Sequence, residues 1–166
     1  MIIRKLIKDD AEDYRQIRLE ALYKNPDSFC TTYDEVIKTI EQFRDRIPVD
    51  NNNFILGCFE DKELIGIVAF HQESRIKLRH KAYVSSMYVK QEYREKGIGS
   101  LLLNELIERG KAIKEVEILL LDIVKSNFLA KQIYLSGGFQ IYGIEKMAYK
   151  FNNQYFDLEL MCLQIK

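Results

Sequence analysis

The chain has 166 residues, with 25 lysines and arginines against 25 aspartates and glutamates. That length fits one domain over residues 1–166, and 47% hydrophobic with 30% charged residues is the composition of a globular chain, not a disordered one. The zero net charge lacks the basic surplus of a general nucleic-acid binder, and no apolar run approaches the roughly 20 residues of a membrane span.

Residues 2–7 read as a short strand, after which Asp9 or Asp10 can cap a helix running to about Tyr23, with Ile17, Ala21 and Leu22 on one face. Asn25-Pro26-Asp27 ends it. Residues 33–46 carry Val36, Ile37, Ile40 and Phe43 at helical spacing and predict a second helix. Pro48-Val49-Asp50-Asn51-Asn52-Asn53 is a loop, since Asn and Asp side chains compete for backbone hydrogen bonds. The period then changes. Residues 54–60 and 64–70 predict two strands joined by a hairpin at Glu60-Asp61-Lys62-Glu63, and residues 82–89 a third strand.

Residues 98–109 predict a helix with Ile98, Leu101, Leu102 and Leu106 inward and Gly110 at its C′ position. Residues 116–123 read as a strand buried on both faces, because Ile118-Leu119-Leu120-Leu121 is unbroken. A short helix over 127–136 ends at Gly137-Gly138, and 139–144 and 155–163 are closing strands. The order β-α-α-β-β-β-α-β-α-β-β belongs to the α/β (α+β) class. It implies a mixed, mostly antiparallel central sheet flanked by helices, in which a hairpin-built half runs into a βαβ unit.

The cysteines Cys30, Cys58 and Cys162 are widely spaced, with no pair at metal-ligand or redox spacing, so they read as packing residues and no metal is expected. Residues 1–10 have only short apolar runs broken by charge, unlike a signal-peptide core, and the expected location is cytoplasmic.

The informative segment lies between the third middle strand and its helix: Val89-Lys90-Gln91-Glu92-Tyr93-Arg94-Glu95-Lys96-Gly97-Ile98-Gly99-Ser100. Glycines let a backbone approach a ligand closely, and the first amides of a helix are unsatisfied donors at its positive end, which suits a phosphate or pyrophosphate. The same glycines also suit a tight turn that packs helix on sheet. Residues 75–96 hold seven basic side chains against two acids, a local positive stretch hidden by the neutral total.

Arg94-Glu95-Lys96-Gly97-Ile98-Gly99 lacks the Walker and dinucleotide spacings but resembles the Arg/Gln-x-x-Gly-x-Gly/Ala signature of GNAT-type N-acetyltransferases. Met87-Tyr88-Val89 resembles the strand end before that loop, Asn127-Phe128-Leu129-Ala130 to Tyr134 the N-x-x-A-x-x-x-Y pattern, and Gly137-Gly138-Phe139 the following G-F. The four segments stand in the family's order, and the match runs from residue 2 to residue 163. Arg18-Leu19-Glu20-Ala21-Leu22, Pro26, Phe29, His80 and the stretch from Asp157 to Met161 are similar to a broad bacterial group whose substrates are mostly unassigned.

The resemblance implies a GNAT-like acyl-CoA N-acyltransferase fold with acetyl-CoA as co-substrate, lying in a gap between strands 82–89 and 116–123. Backbone groups of Met87 and Val89, flanking Tyr88, would pair with its pantetheine arm. Amides from Arg94, Glu95, Lys96, Gly97, Ile98, Gly99 and Ser100 would hold its pyrophosphate. Glu95 replaces a commoner glycine, and its carboxylate is expected to point into water, offset by Arg94 and Lys96. Asn127 and Tyr134 share a helix face about 10 Å apart, with Ala130 between them. Tyr134 is the implied general acid toward the leaving thiolate, and Asn127 reads as both N-cap and ligand.

An amine of ordinary pKa near 10.4 must lose a proton before it attacks. Many relatives place a Glu on the strand before the glycine loop, but Ala82-Tyr83-Val84-Ser85-Ser86-Met87 holds no carboxylate, which leaves His80, His71, Glu73 and Glu20 as open candidates. Phe29, Cys30 and Tyr33 read as packing residues that could border an acceptor site, and Asp27, Asp34 and Glu35 as a solvated helix face that could attract a cationic amine. The expected partners are acetyl-CoA and a small amine or peptide amino group, without nucleic acid or membrane, and the family admits a homodimer. A second reading, a CoA-binding sensor or interaction module, draws on Glu95 and the missing strand carboxylate.

Overall fold

The computed structural model describes residues 1–36, 39–50 and 52–166. One seven-stranded sheet runs in the order β1-β2-β3-β4-β5-β7-β6. β1 (Ile2–Lys5), β2 (Asn53–Glu60), β3 (Glu63–Gln72) and β4 (Lys81–Val89) are antiparallel neighbours. β4 meets β5 (Ile118–Val124) in parallel, and β5, β7 (Gln154–Gln164) and β6 (Gln140–Phe151) are again antiparallel.

The alternating strand pattern gives the sheet two apolar faces, and each takes its own helices. Ile55, Ile67 and Ala69 pack with α1 (Ala11–Lys24), α2 (Tyr33–Val36) and α3 (Ile40–Arg46) through Ile17, Ala21, Val36 and Phe43. Leu56, Val68 and Phe70 face the other way, against Leu102 and Leu106 of α4 (Ile98–Ala112) and Tyr134 of α5 (Phe128–Ser136). Burying such side chains contributes about 1.5–3 kcal/mol each. Leu119 and Leu121 are both buried, as is Leu120 between them, so β5 is covered on both faces as its apolar run requires. Among the described residues no helix is long and apolar enough to cross a membrane.

Several boundaries differ from expectation for identifiable reasons. The helix expected over 33–46 is two helices. Thr39 caps α3 by accepting from the Gln42 amide, and the Gln42 side chain accepts from the Thr39 amide, a capping box that restarts the helix. Ile37, expected on the inner face, lies outside the described residues. Asp10 precedes α1 without capping it, because its carboxylate accepts from Arg4 and the Ile7 amide instead. Gly110 lies inside α4, not beyond its end, where a Cβ would sit 3.1 Å from Phe70. Leu101 is 43% exposed, and Leu103 takes the inward place. β6 runs on to Phe151 because Asn152 and Asn153, at φ 47° and 58°, turn the chain tightly into β7.

The feature that positions the site is a bulge. Ile67 pairs with Tyr88 and Ala69 with Ser85, so Ser86 and Met87 together oppose Val68, and Ser86 adopts φ 56°. A bulged strand bends. The β4–β5 pairing stops at Tyr83–Leu120, whereas β5 stays paired with β7 up to Val124–Leu158. Beyond Tyr83 the sheet therefore parts along its middle.

Candidate active site

The parting is a cleft of about 690 Å³, lined by the end of β4, the end of β5, the glycine turn, α5, and α1 with the loop after it. Lys90 donates to the Ile65 carbonyl, so by ladder alternation the Val89 N–H and C=O turn away from β3 and toward the opening. Arg94 occupies that carbonyl: its Nε donates to Val89 O at 3.0 Å and its Nη2 to Asn25 Oδ1 at 3.4 Å.

The glycine turn is built on two left-handed residues, Glu95 at φ 63° and Gly97 at φ 75°. A left-handed residue followed by a helical one aims successive N–H groups into one concavity, and here the start of the 15-residue α4 adds its free amides. A Cβ on Gly97 would meet nothing within 4 Å, so no neighbour crowds the turn there, and in this structure conformation alone requires the glycine. Gly99 differs. A Cβ there would lie 3.0 Å from Ile133 Cδ1, so its role is the close approach of α4 to α5.

Met87, Tyr88, Val89, Arg94, Glu95, Gly97, Ile98, Gly99 and Ser100 all border the cleft, and the Glu95 side chain is exposed. Lys96 does not border it, because its ammonium lies 4.9 Å from the centre of the Tyr93 ring, drawn aside by a cation–π contact.

Along α5, Asn127, Ala130 and Tyr134 face the cleft. Asn127 Oδ1 accepts from the Ala130 amide at 3.2 Å and caps the helix, and Nδ2 donates to Ser28 Oγ at 3.5 Å. Tyr134 is buried edge-to-face on Phe139, with no hydrogen bond to its hydroxyl among the described residues. Burial, reinforced by the Asp122 carboxylate, pushes its phenol well above the ordinary value. The group stays protonated at neutral pH.

Residues 3–160 match the family model described as an acetyltransferase (GNAT) domain. The chain belongs to the GNAT family of N-acetyltransferases. No curated protein matches it. Among solved structures it is similar to a GNAT-family acetyltransferase from Streptococcus pneumoniae, with TM-score 0.87 and 24% identity over 99% of both chains. It is also similar to the yncA protein of Salmonella typhimurium, solved with its cofactor acetyl-CoA, with TM-score 0.86 and 21% identity over 100% of this chain and 94% of that one. A phosphinothricin acetyltransferase from Sinorhizobium meliloti, in complex with acetyl-CoA, has TM-score 0.84 and 21% identity over 98% and 87% of the two chains. Identities this low speak to the shared fold.

Of the four residues named as base candidates, His80, His71, Glu73 and Glu20, none lines the cleft. His71 pairs with Tyr83 and Asn53, where β4 and β5 are still joined. The His80 carbonyl accepts from Glu117 and Ile118 at the closed end. Glu73 is held by Arg75 at 3.0 Å. Glu20 comes nearest, accepting from Lys24 at 2.9 Å and from the hydroxyl of Tyr88 at 3.0 Å, whose own pKa rises to about 12 through burial and that contact.

Two carboxylates line the cleft among the described residues, Glu95 on the glycine turn and Asp122 at the end of β5. Leu119, Leu121 and Ile123 belong to the core under α4 and α5, so alternation turns Asp122 to the face of α1. Asp122 is exposed to the open cleft, and desolvation by the surrounding walls, then the Glu145 charge, raises its pKa. Its strand reads as a hydrophobic run in which a single acid passes for an edge residue; only the parting of β4 from β5 makes it a site residue.

Phe29 and Cys30 line the same side, whereas Tyr33 packs on Tyr23 at 6.0 Å and does not. Cys30 is exposed, and partial desolvation with the nearby Asp122 charge pushes its thiol up, which disfavours the thiolate. Asp27, Asp34 and Glu35 stand outside the lining, and Glu35 accepts from the Thr32 amide and hydroxyl. Arg18 completes the α1 side of the cleft.

Proposed function

We propose that residues 1–166 form one domain that transfers an acetyl group from acetyl-CoA to a primary amine by direct attack in a ternary complex. The observation that carries this reading is the parting of the sheet after Tyr83–Leu120, which connects an amide-built cradle on one face to charged side chains on the other. The cradle suits a pyrophosphate: an uncrowded turn, successive N–H groups at Gly97 and Ile98, and a helix start. Acetyl-CoA would supply an activated thioester.

The outward N–H of Val89 is free to polarise a carbonyl lying along the open strand edge, while Arg94 fixes the strand end by holding Val89 O. Asp122 accepts a proton from the incoming ammonium; its raised pKa brings it closer to that task than an ordinary carboxylate. As the C–N bond forms and the C–S bond breaks, the Tyr134 hydroxyl protonates the departing sulfur, and the proton shed by nitrogen restores the phenol. Burial keeps the Tyr134 phenol neutral and protonated but widens the gap to a thiol of ordinary pKa near 8.5. A thiolate leaving into the same dry cleft is itself made more basic, which narrows it again.

Calorimetry with acetyl-CoA and thiol release across an amine library test this proposal. Acetyl-CoA binds and at least one amine class liberates thiol; absence of acetyl-CoA binding sinks it. Binding with no turnover across the library favours the CoA-binding sensor instead.

A further inference from the structure

Arg18 lines the cleft from α1 and is only 9% exposed, yet its Nη1 is fully buried with no hydrogen-bond partner among the described residues. The guanidinium stacks 4.6 Å from the centre of the Phe29 ring, another lining side chain. Stacking covers one face of the planar cation and leaves the N–H groups around its edge. The charged and titratable neighbours acting on it are Tyr14 and Arg46, one neutral and one a like charge, and burial lowers its pKa. Among the described residues no carboxylate compensates it: Glu20, two residues further along the same helix, is committed to Lys24 and Tyr88.

Buried charges are paired or they are costly, and removing one partner of a pair leaves that cost standing. Arg18 has the geometry of a pair whose partner arrives from outside. The planar fork matches a carboxylate or another compact oxyanion, with two parallel hydrogen bonds. On the same face of the sheet Asp122 offers the opposite charge, suited to an ammonium.

We infer that the amine substrate carries a carboxylate or a similarly compact oxyanion, which Arg18 binds while Asp122 receives the amino group. The inference deepens the proposed acetyl transfer and rests on it. A zwitterionic amino acid or aminophosphonate has both charges; a polyamine has only one and would place a second cation beside Arg18.

The test uses the full chain at saturating acetyl-CoA, with kcat/KM measured over matched probes. These are the common α-amino acids, β-alanine and γ-aminobutyrate, each beside its carboxamide, aminomethylphosphonate and 2-aminoethylphosphonate as the second oxyanion, and putrescine and spermidine. At least one oxyanion probe exceeds its matched amide and both polyamines by about tenfold or more. Comparison of the carboxylates with the phosphonates identifies which oxyanion. Arg18→Met abolishes that preference, chiefly through KM, and Arg18→Lys restores part of it; acetyl-CoA affinity by calorimetry stays at the wild-type value in both.

Three results overturn the inference: a preference for amides or polyamines, refusal of every oxyanion probe, or a preference that survives Arg18→Met. A purely structural Arg18 would lower the melting temperature on substitution while leaving selectivity intact. If wild-type protein fails to bind acetyl-CoA, the acetyltransfer reading itself falls; if it binds acetyl-CoA and acetylates neutral or polycationic amines, only the assignment of Arg18 does.

Discussion

The two sides of the cleft are made of different material. On the α4 and α5 side the site is backbone and apolar packing: the Gly97 turn, the first amides of α4, the Asn127 cap and a buried Tyr134. On the α1 side it is charged and aromatic side chains: Arg18 on Phe29, Asp122 near Glu145, and Glu20 with Tyr88. Backbone geometry must be repeated wherever the same anion is held, whereas side chains can be exchanged without disturbing the sheet. One face is thus suited to a constant ligand and the other to a variable one.

The sharpest way to break this division is Tyr134→Phe. Removing the hydroxyl should lower turnover by about 10²–10⁴-fold while acetyl-CoA affinity, measured by calorimetry, changes little. If affinity collapses and turnover at saturation does not, Tyr134 belongs to binding, and the α5 side has no chemical role of its own.

Asp122→Asn probes the other side. Turnover should fall by about 10²-fold, and the acid limb of the pH–rate profile, where protonation of Asp122 silences the wild type, should disappear. The stability consequence has the opposite sign. Because the folded state holds this proton more tightly than the unfolded chain, wild-type stability falls as pH rises from the ordinary carboxylate range through the raised value. The Asn variant lacks that loss and should melt higher than wild type at pH 7, with a flatter dependence on pH. An unchanged rate profile would place the base elsewhere.

The same contrast explains what the sequence disclosed. The cradle was legible because its requirements are local: Gly97 at φ 75° beside a helix start leaves a spaced glycine motif, and the cap leaves Asn127 three residues before Ala130. The order of strands and helices along the chain followed from hydrophobic period for the same reason. Asp122 was not legible, since its place depends on a bulge at Ser86, a register feature with no short-range signature, and on the parting of two strands far apart in the chain. Arg18 could be matched to a group of relatives but not given a task, because being buried without a partner is a property of the folded environment alone. His71, His80 and Glu73 lie away from the cleft by the same logic: suitable chemistry, but outside the parting of the sheet. The split at Thr39 was written in the sequence as Thr-x-x-Gln, but the helical spacing of Val36, Ile40 and Phe43 on either side outweighed it.

A smaller effect separates the two glycines. Gly97→Val forces a β-branched residue into the left-handed region, at about 1–2 kcal/mol, and narrows the cradle; acetyl-CoA affinity should fall by about tenfold. Gly99→Ala brings a methyl to 3.0 Å from the end of the Ile133 side chain, which can shift by a few tenths of an ångström. It should lower the melting temperature slightly and leave affinity alone. Equal losses of affinity in the two variants would show that helix packing, not the amide cradle, holds the anion.

The smallest expected effect is a gain. Glu95 sits at φ 63°, strained for a residue with a Cβ, and carries a carboxylate at the rim of the proposed pyrophosphate cradle. Glu95→Gly relieves the strain but adds conformational entropy to the unfolded chain, so the two nearly cancel in stability. Removing the charge does not cancel. Repulsion between the exposed carboxylate and a pyrophosphate is weak in water, and its loss should tighten acetyl-CoA binding by about two- to fivefold at low salt and less at high salt. Glu95→Gln separates the causes, because it keeps the strained backbone and removes only the charge. If Gln reproduces the gain of Gly, the rim effect is electrostatic; if only Gly tightens binding, the turn relaxes onto the ligand, and the backbone on this side of the cleft is less rigid than a constant ligand requires.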